Sequence, residues 1–231
     1  MVMAKPEYEF KNPPMPVLLN NNVPFPDPHR AGPDGLVAVG GDFSTERLLS
    51  AYRKGIFPWT VNPITWWSPD PRAIFELDRF HVSQSLARVI RQGKFELTID
   101  QSFPAVMEGC AAPTPQRGET WITKEFREAY QRLHRQGHAH SVECRLQGEL
   151  VGGIYGIAIG GLFAGESMFH RVNNASKVAI HHLVGHLRQR GFALFDIQML
   201  TPATQPLGAI EIPRRDYLQR LSVAVGMKCS F

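Results

Sequence analysis

The chain has 231 residues, enough for one large domain or two smaller ones with a sizeable core. Its 25 Lys and Arg residues against 21 acidic residues give a net charge of +4, too small an excess to indicate a nucleic-acid partner by itself. The three cysteines lack CxxC spacing and no run reaches the roughly 18 apolar residues of a membrane span, so we expect a cytoplasmic protein without a disulfide framework.

Residues 1–72 are predicted to form a small N-terminal domain, and residues 73–231 a larger second one. The first 30 or so residues are rich in Pro and Asn, which is typical of an extended arm. Gly35–Gly41, GLVAVGG, predicts a short strand ending in a glycine turn. The following DFSTERLLSAYRKG predicts a helix that Asp42 or Ser44 caps and Gly55 ends.

The segment WWSPDPR, from Trp66 to Arg72, separates the two predicted domains. A segment flanked by prolines is extended or turning, and successive side chains then point in opposite directions. The two adjacent indoles therefore cannot both enter one core, and we expect at least one to line a surface or cleft.

The second domain is predicted to combine helices with a mostly antiparallel sheet. A basic amphipathic helix follows WWSPDPR, and a second helix spans about Thr123 to Gln136. Alternating segments separated by glycine turns indicate an antiparallel meander, and a helix, a strand and a final helix follow it. These later segments are HSVECRL, ELVGGIYGIAI, LFAGESMF, ASKVAIHHLVGHLRQR, FALFDIQML and IPRRDYLQRL. The pattern predicts an α+β fold.

Two of these strands carry acidic residues among apolar ones. Strand alternation predicts that Asp196 and Gln198 share one face of FALFDIQML, and that Glu166 and Met168 share one face of LFAGESMF. If both strands border one cleft, its two carboxylates would suit a cationic amine. A buried Asp196 that is hydrogen-bonded to a loop is the alternative for that residue.

Aromatic and basic residues are open to two interpretations. The four tryptophans suit base stacking, but packing in a core or at a domain junction is the more common role of a tryptophan. Arg88, Arg91 and Lys94 could follow a phosphate backbone or form a solvated helix face.

The sequence contains no recognisable cofactor or metal motif. His182 and His186 lie one helical turn apart, as do His134 and His138, but neither pair has the glutamate of HExxH. Neither a P-loop nor a GxGxxG turn in the required setting is present. We therefore expect no metal and no cofactor.

Several short sequence motifs resemble those of the leucyl/phenylalanyl-tRNA-protein transferase family and occur in the same order as in that family. The resemblance covers roughly Phe25 to Tyr217. The motifs are FPW at Phe57–Trp59, WWSPDPR, ETWIT, GHAHS, GESMF, NASK, the DxQ of Asp196–Gln198, and LGAxEIPRRDY. The resemblance implies an enzyme that moves Leu or Phe, and less well Met, from aminoacyl-tRNA to an N-terminal Arg or Lys, creating a degradation signal. It also implies a larger domain similar to the GNAT acyltransferases.

The resemblance assigns roles to matching positions. Asp196 and Gln198 correspond to the family's catalytic pair, and Glu166 and Met168 to its pocket strand. The other matched positions are Ile154, Ile180 and Phe195 at the apolar amino-acid pocket, and Trp59 and Trp121 at the terminal adenosine. The basic helix after WWSPDPR corresponds to the region that meets the tRNA acceptor stem.

The chain departs from the family pattern at Thr201–Pro206, where the family usually has a polar stretch with Asn and His. This departure leaves open a non-catalytic tRNA-binding relative. An acyl-CoA-dependent N-acyltransferase is the other alternative, although FHRVNN stands where its pyrophosphate loop would be. We expect a monomer, because no exposed apolar helix face is evident.

Overall fold

The computed structural model describes residues 16–20, 23–113 and 120–231. Most of the predicted N-terminal arm therefore lies outside the described residues, as does Glu119 of the ETWIT string. Within the described part, no helix has both the length and the apolar character needed to cross a lipid bilayer.

A small sheet and one helix form the first part of the fold. Helix α1 begins after Ser44, whose side chain accepts a hydrogen bond from the Arg47 backbone N–H, as the sequence predicted for one of two capping candidates. The strands are β1 (Val17–Leu19), β2 (Leu36–Gly40), β3 (Phe57–Val61) and β4 (Ile64–Trp67), with α1 at Thr45–Arg53. Their order in the sheet is β1-β2-β4-β3.

A seven-stranded sheet forms the second part, with the order β11-β5-β10-β9-β8-β7-β6. The strands are β5 (Arg72–Phe75), β6 (Glu96–Ile99), β7 (Ala139–Leu146), β8 (Glu149–Ile159), β9 (Leu162–His170), β10 (Leu194–Gln198) and β11 (Ala209–Ile212). The predicted meander is β7-β8-β9. Strand β10 instead runs parallel to β9, because a helical crossover connects the two. The α+β class with a mostly antiparallel sheet is confirmed.

Five helices accompany the larger sheet: α2 (Gln84–Arg91), α3 (Phe103–Ala111), α4 (Lys124–Arg135), α5 (Ala175–Gln189) and α6 (Arg214–Ala224). The helix predicted at ASKVAIHHLVGHLRQR is present as α5, and its residues Ile180, Leu183 and Leu187 are buried. Helix α3 was not predicted. It approaches β9 so closely that a Cβ on Gly109 would lie 2.5 Å from the Phe169 ring, so only glycine fits there.

The two sheets share one hydrophobic core. Trp66 on β4 is fully buried in a cluster that also contains Phe126 and Tyr155 from the larger part of the fold. Trp67 is half-buried and meets Trp59 edge-on at 5.6 Å. One indole of the pair thus stays near the surface, as the sequence indicated. The domain boundary at residue 72 remains a prediction.

Candidate active site

Two adjoining cavities lie beside β9 and β10. They share the lining residues Glu166, Ile197, Gln198, Met199 and Thr201. The first, which we call the aromatic cavity, has a volume of about 250 Å³ and is also lined by Phe57, Pro58, Trp59 and Trp121. The second, the aliphatic cavity, has a volume of about 220 Å³ and is also lined by Ile154, Met168 and Ile180.

Seven of the nine predicted site residues line these cavities. Trp59 and Trp121 belong to the aromatic cavity, and the other five are Glu166, Gln198, Ile154, Met168 and Ile180. Phe195 lines neither cavity. It is fully buried, and its ring lies 3.0 Å from where a Cβ on Gly165 would stand. Phe195 therefore supports the cavity wall from behind.

Asp196 also lines neither cavity, because strand alternation breaks at Gln198. The register of β10 against β5 shifts between Asp196 and Gln198, and Gln198 has a φ of 57°. Ile197 and Gln198, although adjacent in sequence, consequently both face the cavities. The predicted common face of Asp196 and Gln198 is therefore wrong. A non-glycine residue in this left-handed region costs of the order of 1–3 kcal/mol and persists only where its surroundings enforce it.

The Asp196 carboxylate is satisfied within the protein interior. Arg72 Nε donates to Oδ1 at 2.8 Å, and Arg72 Nη2 donates to Oδ2 at 2.6 Å. The Tyr217 hydroxyl donates to Oδ2 at 2.9 Å. Finally, the Gln198 backbone N–H donates to Oδ1 at 2.9 Å, which fixes the irregular end of β10. Asp196 is thus buried and hydrogen-bonded, as the alternative interpretation of the sequence had it, but its partners lie on β5, α6 and β10 and not on a loop. It also holds the backbone of Gln198.

Arg72 neutralises this carboxylate and connects it to the small sheet. Its side chain is 1% exposed, and Nη1 donates to the Gly55 carbonyl oxygen at 3.0 Å. Burial would lower the pKa of the guanidinium, but Asp196 and Tyr217 more than offset this and raise the pKa above its ordinary value. The guanidinium therefore keeps its charge, and its two-point contact with the Asp196 carboxylate leaves little negative charge for a ligand.

Glu166 is the carboxylate that faces both cavities. Its Oε2 accepts a hydrogen bond from the Tyr130 hydroxyl at 3.0 Å, and that hydroxyl is hydrogen-bonded to Tyr52. Burial raises the pKa of Glu166 to about 7, although both tyrosine hydroxyls and Arg72 act in the opposite direction. At neutral pH the carboxyl group therefore populates both its charged and its protonated form.

The oxygen and nitrogen of the Gln198 side-chain amide can be assigned in two ways, which differ in their hydrogen bonds. In one, Nε2 donates to Glu166 Oε1 at 3.3 Å. In the other, turned by half a revolution, Nε2 donates to the carbonyl oxygens of Ile197 at 3.0 Å and Gly165 at 2.9 Å. The second orientation makes two hydrogen bonds of ordinary length instead of one long one, so we favour it. It turns Oε1 of Gln198 toward Glu166.

We call the cluster formed by Arg72, Asp196, Tyr217, Glu166, Tyr130 and Tyr52 the polar centre. Four of its residues, Arg72, Tyr52, Tyr130 and Tyr217, are not among the functional residues predicted from the sequence. Tyr52 and Tyr130 lie within the two helices that the sequence predicts, and Arg72 and Tyr217 lie within the strings WWSPDPR and LGAxEIPRRDY. Their placement depends on contacts between distant segments, such as the 124 residues that separate Arg72 from Asp196. The sequence carries no signal for such a pairing.

The departure at Thr201–Pro206 forms a closed turn beside the cavities. The hydroxyls of Thr201 and Thr204 lie 2.9 Å apart, and each accepts the backbone N–H of the other residue, at 3.2 and 3.0 Å respectively. Thr201 lines both cavities and Thr204 lines the aliphatic one. Two threonines that are hydrogen-bonded to each other therefore form part of the cavity wall at this departure.

Comparison with known proteins identifies the family. Residues 74–222 match the model of the family described as leucyl/phenylalanyl-tRNA protein transferase, and residues 41–70 match the model of its N-terminal domain. The chain belongs to this family. It is 51% identical over 209 residues to a leucyl/phenylalanyl-tRNA–protein transferase of Pseudomonas entomophila, covering 89% of this chain and 92% of that protein.

A transferase of the same name from Nitratidesulfovibrio vulgaris is 53% identical over 197 residues, covering 84% of either chain. Similar solved structures include a ribosomal-protein-alanine N-acetyltransferase from Brucella melitensis, with a TM-score of 0.35 and 16% identity over 48% of this chain and 84% of that one. Another is L-PGS from Bacillus licheniformis, with a TM-score of 0.44 and 11% identity over 80% of this chain and 71% of that one.

Proposed function

We propose that this member of the leucyl/phenylalanyl-tRNA-protein transferase family moves Leu or Phe from aminoacyl-tRNA to the N-terminal Arg or Lys of an acceptor protein. The name of the family and of the relatives supports an aminoacyl-tRNA donor and a protein acceptor. One observation supports the choice of Leu or Phe as the transferred residue and of a cationic N-terminus as the acceptor. The aromatic and the aliphatic cavity adjoin each other at Glu166 and Gln198.

The aminoacyl end of the tRNA fits the two cavities in a defined direction. Trp59 and Trp121 offer aromatic faces for the terminal adenine, and stacking contributes about 1–3 kcal/mol per base. The aliphatic cavity, bounded by Ile154, Met168 and Ile180, takes the Leu or Phe side chain. The ester carbonyl then lies at the junction, next to Gln198. Because apolar walls separate similar side chains by only about 1–3 kcal/mol, Met is a weaker substrate rather than an excluded one.

The chemistry requires positioning and the removal of a proton. An aminoacyl ester is already activated, so peptide-bond formation needs an amine held against its carbonyl carbon. Gln198 orients that amine, and Asp196 acts on it only through the Gln198 backbone. Because Arg72 neutralises Asp196, Glu166 supplies the negative charge that favours a cationic N-terminus.

A transfer assay tests this proposal. The purified chain is incubated with radiolabelled Phe-tRNA or Leu-tRNA and a peptide that begins with Arg, and the labelled peptide product is counted. A peptide that begins with Ala is the matched acceptor control, and acyl-CoA replaces the tRNA as the control donor. Binding of Phe-tRNA without product would support the non-catalytic alternative, and product from acyl-CoA alone would support the acyltransferase.

A further inference from the structure

At neutral pH the α-amino group of the acceptor must lose a proton before its nitrogen can attack the ester. A free α-amino group has a pKa of about 7.7–8.0, so most of it is the ammonium, which has no lone pair to attack a carbonyl carbon. Asp196 is unsuited to remove this proton, because its oxygens are occupied by Arg72, Tyr217 and the Gln198 backbone.

We propose that Glu166 is the proton acceptor of the transfer reaction, and that Tyr130 and Tyr52 hold its carboxylate at the junction of the two cavities. The inference rests on the transferase function proposed above and adds a catalytic residue to it. Within the described part of the chain, Glu166 is the one acidic residue that lines either cavity.

The hydrogen bonds of Glu166 leave its second oxygen, Oε1, next to Gln198 at the junction of the two cavities. Because the Tyr130 hydroxyl donates to Oε2, its own oxygen accepts the hydrogen bond from Tyr52. The two tyrosines thus form a directed chain that ends on Oε2. Oε1 remains on the side of Gln198, 3.3 Å from its amide.

The amide orientation that we favour places a second acceptor beside Oε1. With Nε2 bound to the carbonyl oxygens of Ile197 and Gly165, Gln198 Oε1 faces Glu166 Oε1. Two oxygens at this separation repel each other unless a hydrogen lies between or beside them. The protonated form of Glu166 supplies that hydrogen itself, and beside the charged form an α-ammonium supplies it by donating one N–H to each oxygen. The pair therefore forms a cradle for the reacting nitrogen when Glu166 is a carboxylate.

The proton movements balance as follows. The Glu166 carboxylate takes one proton from the ammonium, which leaves a neutral amine and a carboxylic acid. The amine nitrogen bonds to the carbonyl carbon, the C–O bond to the ribose breaks, and the leaving ribose oxygen receives a second proton from the nitrogen. Glu166 then releases its proton to water, so the products are the peptide, the deacylated tRNA and one proton.

The acidity of Glu166 suits this step. Burial raises its pKa to about 7, close to that of the α-ammonium, so the transfer is nearly balanced in free energy. The titratable or charged groups that face it are Tyr52, Tyr130, Tyr155, Asp196 and Arg72. Burial raises the pKa of each tyrosine well above its ordinary value, so these three stay neutral.

The decisive experiment uses Glu166→Gln with two acceptor peptides in single-turnover assays. One peptide has an ordinary N-terminal Arg, and the other has an α-hydrazino Arg analogue, whose nucleophilic nitrogen is uncharged at neutral pH. With the ordinary acceptor we expect the rate at saturation to fall by about 10²-fold or more, the typical contribution of a positioned base. With the hydrazino acceptor most of that loss should disappear, because no proton must be removed before attack.

An equal loss with both acceptors would overturn the inference, because Glu166 would then act by binding the cationic side chain. A Glu166→Gln rate equal to wild type would overturn it as well. Absence of product from the wild type with either peptide would instead refute the transferase function itself, so the two failures are distinguishable.

Tyr130→Phe provides an independent readout if Glu166→Gln does not fold. The Tyr130 hydroxyl lowers the pKa of Glu166, so its removal should move the acidic limb of the rate–pH profile to higher pH. A structural role for Tyr130 would lower the rate without moving that limb, and an unmoved limb would count against Glu166 as the base.

Discussion

Arg72 and Asp196 form a buried two-point ion pair, with Nε 2.8 Å from Oδ1 and Nη2 2.6 Å from Oδ2. The pair joins neighbouring strands β5 and β10 and reaches the small sheet through Gly55. It therefore couples the stability of the fold to the conformation of Gln198, whose backbone N–H donates to the same carboxylate.

Arg72→Met should strongly destabilise the protein. The substitution leaves Asp196 buried without its cation, and breaking a buried pair in this way typically costs about 3–5 kcal/mol. Urea unfolding measures the loss. The double variant Arg72→Met, Asp196→Leu should recover part of the stability but not the activity, because Gln198 then lacks its backbone acceptor. Recovery of full activity in the double variant would show that Asp196 does not position Gln198.

Trp59→Ala should weaken use of aminoacyl-tRNA more than it slows the chemical step. Loss of one stacking face costs about 1–3 kcal/mol, so KM for Phe-tRNA should rise about tenfold with little change in kcat. Trp67→Ala is the matched control, since Trp67 packs edge-on against Trp59 but lines neither cavity. Equal effects of the two substitutions on KM would argue that the aromatic cavity does not hold the adenine.

Ile154→Phe should shift the amino-acid preference toward Leu. Ile154 lines the aliphatic cavity, and a larger ring there reduces a volume of about 220 Å³, which penalises Phe more than Leu. Competition between Leu-tRNA and Phe-tRNA should show the kcat/KM ratio changing about tenfold. Met168→Leu, a swap of similar volume in the same cavity, should leave that ratio nearly unchanged. An equal decrease of kcat/KM for Leu-tRNA and for Phe-tRNA would contradict the assignment of this cavity to the side chain of the transferred residue.

Helix capping, apolar spacing and strand alternation predict the helices and strands better than the arrangement of the active-site residues. Helix caps and apolar spacing identified α1, α4 and α5. Glu166 and Met168 both line the aliphatic cavity, as predicted, although Ser167 between them lines it as well. Helix α3, which the sequence analysis does not predict, nevertheless has buried residues at helical spacing. These residues are Phe103, Val106, Met107 and Cys110.

The polar centre could not be predicted, because its geometry depends on long-range pairing. Glutamine has no preference for the left-handed region, so the sequence does not predict the φ of 57° at Gln198. The irregular pairing of β10 and the hydrogen bond to the Asp196 carboxylate hold the backbone there. Arg72 becomes the charge partner of Asp196 because β5 lies next to β10 in the sheet. The order of strands in a sheet cannot be read from the sequence of either strand alone.

The raised pKa of Glu166 predicts a characteristic dependence of stability on pH. Its pKa is about 7 in the folded protein and 4.5 as the unperturbed value, so between these two values the folded state binds more protons than the unfolded state. The contribution of Glu166 is therefore full below about pH 4.5 and is lost as the pH rises through 7. We expect the free energy of unfolding of the wild type to fall over this interval relative to that of Glu166→Gln, which cannot titrate. Urea unfolding of both variants at several pH values measures the difference, and parallel pH profiles would mean that Glu166 is not held in a desolvated site.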